Sequence, residues 1–156
     1  MSGTEKKGVG LTEDYGKKWA NNTSYGSGAT NETDGSNNMN YIKNQANFQT
    51  NYPAFYWADT YTASGFTSGW YIPAKDELTA LMGQKDTVNS QITKIGGSAT
   101  KFEPHAGSVY DPIPSHDYWT STQCYSDTAH ISGSSDASYH QIKNSENCYT
   151  RAIRKF

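Results

Sequence analysis

Apolar and polar positions along this chain follow two different periods, and the change from one to the other is sharpest at 69–82. There Gly69-Trp70-Tyr71-Ile72-Pro73 runs into Ala74-Lys75-Asp76-Glu77-Leu78-Thr79-Ala80-Leu81-Met82. Trp70 and Ile72 share one face of a short strand, because strand side chains alternate. Pro73 has a fixed φ and no N–H, so it stops the strand and suits the first turn of a helix. Asp76 and Glu77 then fall in that first turn, where exposed N–H groups favour carboxylates. Leu78, Leu81 and Met82 recur at i, i+3, i+4 as one apolar stripe. The pattern predicts a strand-to-helix corner that serves the fold rather than any chemistry.

The same reading along the rest of the chain gives weaker elements. Gly8 to Thr12 reads as an entering strand, Gly16 as a turn and Trp19 as a core ring. Asn21 to Asn38 is rich in Asn, Gly, Ser and Thr and predicts a long surface loop. It carries Asn-x-Ser/Thr matches at Asn21, Asn22 and Asn31, which matter only in a glycosylating pathway. Met39, Ile42, Ala46 and Phe48 form a helical stripe over 37–48. Pro53 to Tyr61 is a second helix with a ringed face, and Val88, Ile92 and Ile95 mark a third, closed by Gly96-Gly97. Pro104, Pro112 and Pro114 keep 101–117 irregular. Tyr118-Trp119-Thr120-Ser121-Thr122 is a strong strand. Two short strands follow, about 129–132 and 138–143, joined by a Gly/Ser/Asp turn. Thr150 to Phe156 predicts one final strand tied into the sheet.

Composition narrows the picture. The 156 residues suit a single domain over 1–156, with residues 1–7 expected to lie outside the folded part. Hydrophobic residues are only 34%, while aromatics reach 13%. The core must therefore be built largely from rings, which bury much area and bring polar tips that need partners. The net charge of -2 gives no basic field for nucleic acid. No apolar run approaches the roughly 20 residues of a membrane helix, so membrane insertion is not expected. Nor does the Met1-to-Lys7 segment contain the apolar stretch of a signal peptide.

Candidate chemistry is sparse. Cys124 and Cys148 lie 24 positions apart. A bridge closing such a loop stabilises by about 3 kcal/mol on the chain-entropy model, but two free thiols fit the sequence equally well. Neither has a Cys or His at zinc-ligand spacing. His105, His116, His130 and His140 include no i, i+4 pair around a Glu, so no metalloprotease helix is present. No nucleophile elbow, phosphate loop or dinucleotide glycine pattern appears. A Cys124–His130 thiol pair is the only nucleophile arrangement to weigh, and it depends wholly on the fold.

Three segments together resemble one family. Trp70-Tyr71-Ile72-Pro73 with Glu77-Leu78, then Tyr118-Trp119-Thr120-Ser121-Thr122, then Arg151-Ala152-Ile153-Arg154-Lys155-Phe156 are similar, in order and spacing, to the bacterial C-type-lectin-like domains. Those carry W-Y-L-P-x-x-x-E-L, Y-W-S-S-T and R-x-V-R-x-F. Ile72 stands here where Leu is usual, and Gln123 where an acidic residue is common. The resemblance runs from about Gly8 to Phe156. It implies an α+β, C-type-lectin-like fold: two or more helices on a small, twisted, mostly antiparallel sheet with long loops. The family includes bacterial surface domains and the variable proteins of diversity-generating retroelements, whose last few dozen residues are rewritten between fixed framework segments.

Carried onto this chain, the resemblance places a variable ligand-binding region at 123–149. Its expected binding residues are Tyr125, Asp127, His130, Ser132, Ser138, Tyr139, His140 and Asn144. Tyr, Ser, Asp and His on a rigid base resemble an antibody paratope: wide ring contacts at low entropy cost beside adaptable hydrogen bonds. The expected partner is a protein or cell-surface ligand, with the chain at a cell surface, secreted or on a phage particle. No catalytic residue, metal or cofactor is expected. Calcium-dependent sugar binding needs oxygen ligands, and Glu103-Pro104-His105 offers an imidazole where an oxygen is required. The alternatives are a non-diversified surface or secreted domain of the same family and, from another class, a formylglycine-generating-like or thiol enzyme.

Overall fold

The computed structural model describes residues 5–100, 117–132 and 139–156. In chain order the elements are β1 (Lys7–Val9), β2 (Asp14–Tyr15), α1 (Gly35–Lys43), α2 (Phe48–Asn51), α3 (Pro53–Asp59), β3 (Trp70–Tyr71), α4 (Lys75–Gly83), α5 (Lys85–Lys94), β4 (Tyr118–Gln123), β5 (Thr128–Ser132), β6 (His140–Ile142), β7 (Tyr149–Thr150) and β8 (Ile153–Lys155). The chain is α+β. One sheet has the order β1-β8-β3 and the other β2-β7-β4-β5-β6. Every pairing is antiparallel except β4 with β7.

The ring-built core forms as composition requires. Trp19, Tyr52 and Phe55 meet edge to face, with Trp19 and Phe55 centroids 5.0 Å apart. The three buried indoles all find acceptors: Trp19 Nε1 donates to Thr120 O at 2.8 Å, Trp119 Nε1 to Lys17 O at 2.9 Å and Trp70 Nε1 to Phe66 O at 3.1 Å. Strand β4 is the hub. Its Trp119 faces this main core with Ala129 and Ile131 of β5. Its Tyr118 faces the other way and packs beneath Leu78 of α4. The strong strand expected at 118–122 forms as β4, and it is buried on both faces.

The predicted corner forms as β3 and α4, and Glu77 has more to do there than favour a helix start. Its carboxylate is buried. Oε2 accepts from the N–H groups of Ala74 and Gly35, both at 2.8 Å, and Oε1 from Tyr71 Oη at 3.1 Å and from the Lys7 ammonium at 2.6 Å. The Ala74 bond is the reach-back half of a capping box. Burial, followed by the adjacent Glu77 charge, pushes the Tyr71 phenol well up, so it remains a donor. Gly35, at the start of α1, must be glycine: a Cβ there would stand 2.3 Å from Ile72 O and 2.7 Å from Ala74 N, both backbone atoms.

Four expectations are corrected. Lys7 belongs to the fold, since it opens β1 opposite Lys155 and pairs with Glu77. The first helix starts at Gly35, where Asp34 accepts from Ser36 N, rather than at 37. It ends at Lys43, and Phe48 opens the separate α2. The single final strand is two strands in different sheets: β7 pairs with β2 and β4, β8 with β1 and β3. Arg151 occupies the crossing between them, fully buried. It donates to Gly10 O at 2.7 Å, to Ser98 O at 2.8 Å and to Glu13 Oε2 at 2.7 Å from Nη2 and 3.2 Å from Nε. Tyr118 Oη donates to the same Glu13 oxygen. A planar fork in this position explains why the motif turns from one sheet to the other. The irregular segment expected at 101–117, with His105 and His116, lies outside the described residues except for Asp117.

Candidate functional site

The expected binding residues fall on the β5–β6 pair and its flanking turns. In β5, Ala129 and Ile131 are buried against the main core, so Thr128 and His130 rise from the opposite face, the one bearing Tyr118. Helix α4 covers that face over β4. It also packs on β5, and the cover falls away toward β6: His130 is half-buried and His140 exposed. Tyr125 is 62% exposed and packs edge to face on the His140 ring, centroids 5.1 Å apart. Ile142, directly opposite Thr128, is exposed on the same face.

The eight expected residues do not form one patch. Tyr125, His130 and His140 come together. Asp127 and Asn144 are exposed in the turns at one end of the strand pair. Tyr139 is surface-exposed but lies opposite Ile131, as the bond from Ile131 N to Tyr139 O shows, so alternation turns it away from His140. Ser132 ends β5, and Ser138 lies outside the described residues. Period-2 reading of 138–143 carried this information, since 139 and 140 cannot share a face.

Two further groups border the face. Glu32 and Lys75 form an ion pair at 2.9 Å. Lys75, through its hydrogen bond and then its charge, holds the Glu32 carboxyl below its usual value, and Glu32 raises Lys75 in return. Thr122 positions both segments: its hydroxyl accepts from Lys75 N at 3.1 Å and donates to Asn31 O at 2.9 Å. Neither residue stands out in sequence, because a Glu in a polar loop and a Lys in a first helical turn are both unremarkable. The edge strand itself is closed to pairing at Ile142. Its N–H donates to Gln141 Oε1 at 3.0 Å and its carbonyl accepts from Ser145 N at 3.0 Å.

Beneath the turns lies Lys143, with no exposed side-chain surface. Its ammonium donates to Tyr25 O at 2.9 Å and Ser126 O at 2.8 Å and sits 5.1 Å from the Trp19 ring centroid. Burial pushes it down to about 8, with Asp127 pulling weakly the other way. The unfolded lysine titrates near about 10.4. Below about pH 8 both states are charged and the full burial cost stands. From there to about 10.4 the folded state has lost a proton that the unfolded state keeps, so stability rises with pH. The expected gain is on the order of 2–3 kcal/mol across that window. Chemical unfolding at pH 7.5 and 10 should show it as a gain relative to Lys143→Met, a comparison that cancels the opposing contribution of the raised thiols.

The thiols are free in the structure, so the possible Cys124–Cys148 bridge is not formed. Burial raises both, Cys148 strongly, with Asp117 adding to it; Thr128 and Lys75 only partly offset the effect at Cys124. Among the described residues no three His, Cys, Asp or Glu side chains are grouped to hold a metal ion, and no helix is long and apolar enough to cross a membrane. Comparison with protein-family models, curated proteins and solved structures gives no match.

Proposed function

We propose that this chain is a ligand-binding domain of the C-type-lectin-like kind, and that it recognises a protein or cell-surface ligand through the outer end of β5–β6. The observation that carries this reading is the exposed Tyr125–His140 ring pair beside His130 of β5, the strand whose reverse face, Ala129 and Ile131, is locked into the core. Tyr125 and His140 are exposed to solvent, where a partner can reach them. The rigid base beneath them reduces the ordering cost of binding. The turn residues Asp127 and Asn144 supply adaptable polar contacts at the rim.

On this reading the region 123–149 is the segment rewritten by a diversity-generating retroelement. The coding DNA tests that directly: a neighbouring reverse-transcriptase gene and a near-repeat of the segment differing at adenines are expected, and finding neither would leave a non-diversified surface or secreted domain. The surface role has its own test. Tyr125→Ala and His140→Ala should each leave stability within about 0.5 kcal/mol by urea unfolding. A loss above about 2 kcal/mol in either would mean that these rings belong to the framework. The thiol-enzyme alternative is disfavoured because both sulfurs are held towards the neutral thiol, while nucleophilic attack needs thiolate.

A further inference from the structure

His130 of β5 and His140 of β6 stand directly opposite each other. The phase of the ladder between them is fixed by two bonds, Ile131 N to Tyr139 O at 3.1 Å and Lys143 N to Asp127 O at 3.0 Å. Residues 131 with 139 and 127 with 143 are therefore hydrogen-bonded pairs. Two residues along, 129 with 141 is another, and His130 with His140 falls between as a non-hydrogen-bonded pair. In such a pair the Cβ atoms are about 4.5–5.5 Å apart and both side chains rise from one face. Two imidazoles so placed can reach a common ion at about 2.0–2.1 Å from one nitrogen each.

The surroundings favour that geometry. The Tyr125 ring restrains His140 by its edge-to-face contact. The Glu32 carboxylate is close enough to His130 to interact with it electrostatically. Glu32 is itself held by Lys75 at 2.9 Å, so it adds negative charge near His130 without serving as a ligand. Imidazole nitrogen suits zinc, copper and nickel, whereas calcium and magnesium want oxygen.

We propose that His130 and His140 form an open two-imidazole site for a divalent transition-metal ion, zinc or nickel, whose other coordination positions are filled by water or by a donor on a bound partner. The site is weak by construction, since among the described residues no third donor converges on it. It escapes spacing rules along the chain because its two ligands come from neighbouring strands. It stands independently of the ligand-binding reading above.

The test is titration of the whole chain with ZnCl2 or NiCl2 alone, followed by calorimetry and by NMR of the imidazole nitrogens. The background is His105→Asn/His116→Asn, which removes the two histidines outside the described residues. One equivalent of metal should bind and shift both remaining imidazoles, while MgCl2 shifts neither. His130→Asn and His140→Asn should each weaken binding by roughly tenfold or more, and His140→Asn should leave the thermal midpoint unchanged. Metal binding that survives His140→Asn overturns the proposal. So does zinc that leaves both imidazoles unshifted up to about 1 mM.

Discussion

Arg151→Ala is expected to destabilise the chain by about 3–5 kcal/mol, the range for removing one partner of a buried ion pair. The loss has three parts. The Glu13 carboxylate, whose side chain is 7% exposed, is left without its cation. The carbonyls of Gly10 and Ser98 lose their donors in the interior. The crossing between β7 and β8 loses the side chain that ties it to the Gly10–Glu13 segment and to Ser98. In a thermal melt the fall should be about 10 °C. Arg151→Lys should recover only part of it, because one ammonium cannot span three acceptors set around a planar fork. A change below about 1 kcal/mol in Arg151→Ala would show that the network contributes no net stability.

Glu77→Ala is expected to be comparably severe, at about 3–5 kcal/mol. The substitution orphans two backbone N–H groups, at Gly35 and Ala74, and leaves the Lys7 ammonium and the Tyr71 hydroxyl without their acceptor. Four segments converge on this carboxylate: β1, the start of α1, β3 and the first turn of α4. Glu77→Gln should cost less, about 1–3 kcal/mol, because an amide oxygen still serves the backbone donors while the amide nitrogen meets groups that are themselves donors. Urea unfolding of the two variants side by side measures the difference. If the two lose the same amount, the charge at this position is immaterial, and only the acceptor geometry counts.

Those two residues show what the sequence could and could not convey. The corner at 69–82 was readable because strand and helix periods meet at a proline, and β4 because rings and Thr/Ser run together without a breaker. The ring-built core followed from composition alone. Glu77 and Arg151 were visible as motif letters, but their partners lie 42 and 138 positions away along the chain, at Gly35 and Glu13, and no local pattern encodes such pairings. The two-sheet ending was missed for a similar reason. Tyr149 to Lys155 has strand character throughout, and only the buried guanidinium at 151 marks where it changes sheets.

The candidate site was legible in location more than in make-up. Polar and aromatic residues between two framework motifs pointed to the β5–β6 region, and Tyr125, His130 and His140 do meet there. Tyr139 was grouped with them although alternation separates neighbours onto opposite faces. Glu32 and Lys75 were passed over because Thr122, which brings their segments to the end of β4, looks from sequence like any strand threonine. Lys143 closes the strand expected at 138–143 with nothing in the sequence to mark it as buried, yet it is wholly enclosed and clamps the loops around Tyr25 and Ser126.

The order β1-β8-β3 has a consequence for biosynthesis. The middle strand of that sheet is the last of the three to leave the ribosome, so β1 and β3 wait without a hydrogen-bonding neighbour until residues 153–155 have emerged. Closure of this half of the molecule therefore waits for β8, and a nascent chain stalled short of Ile153 exposes two unpaired strand edges for as long as it stays tethered.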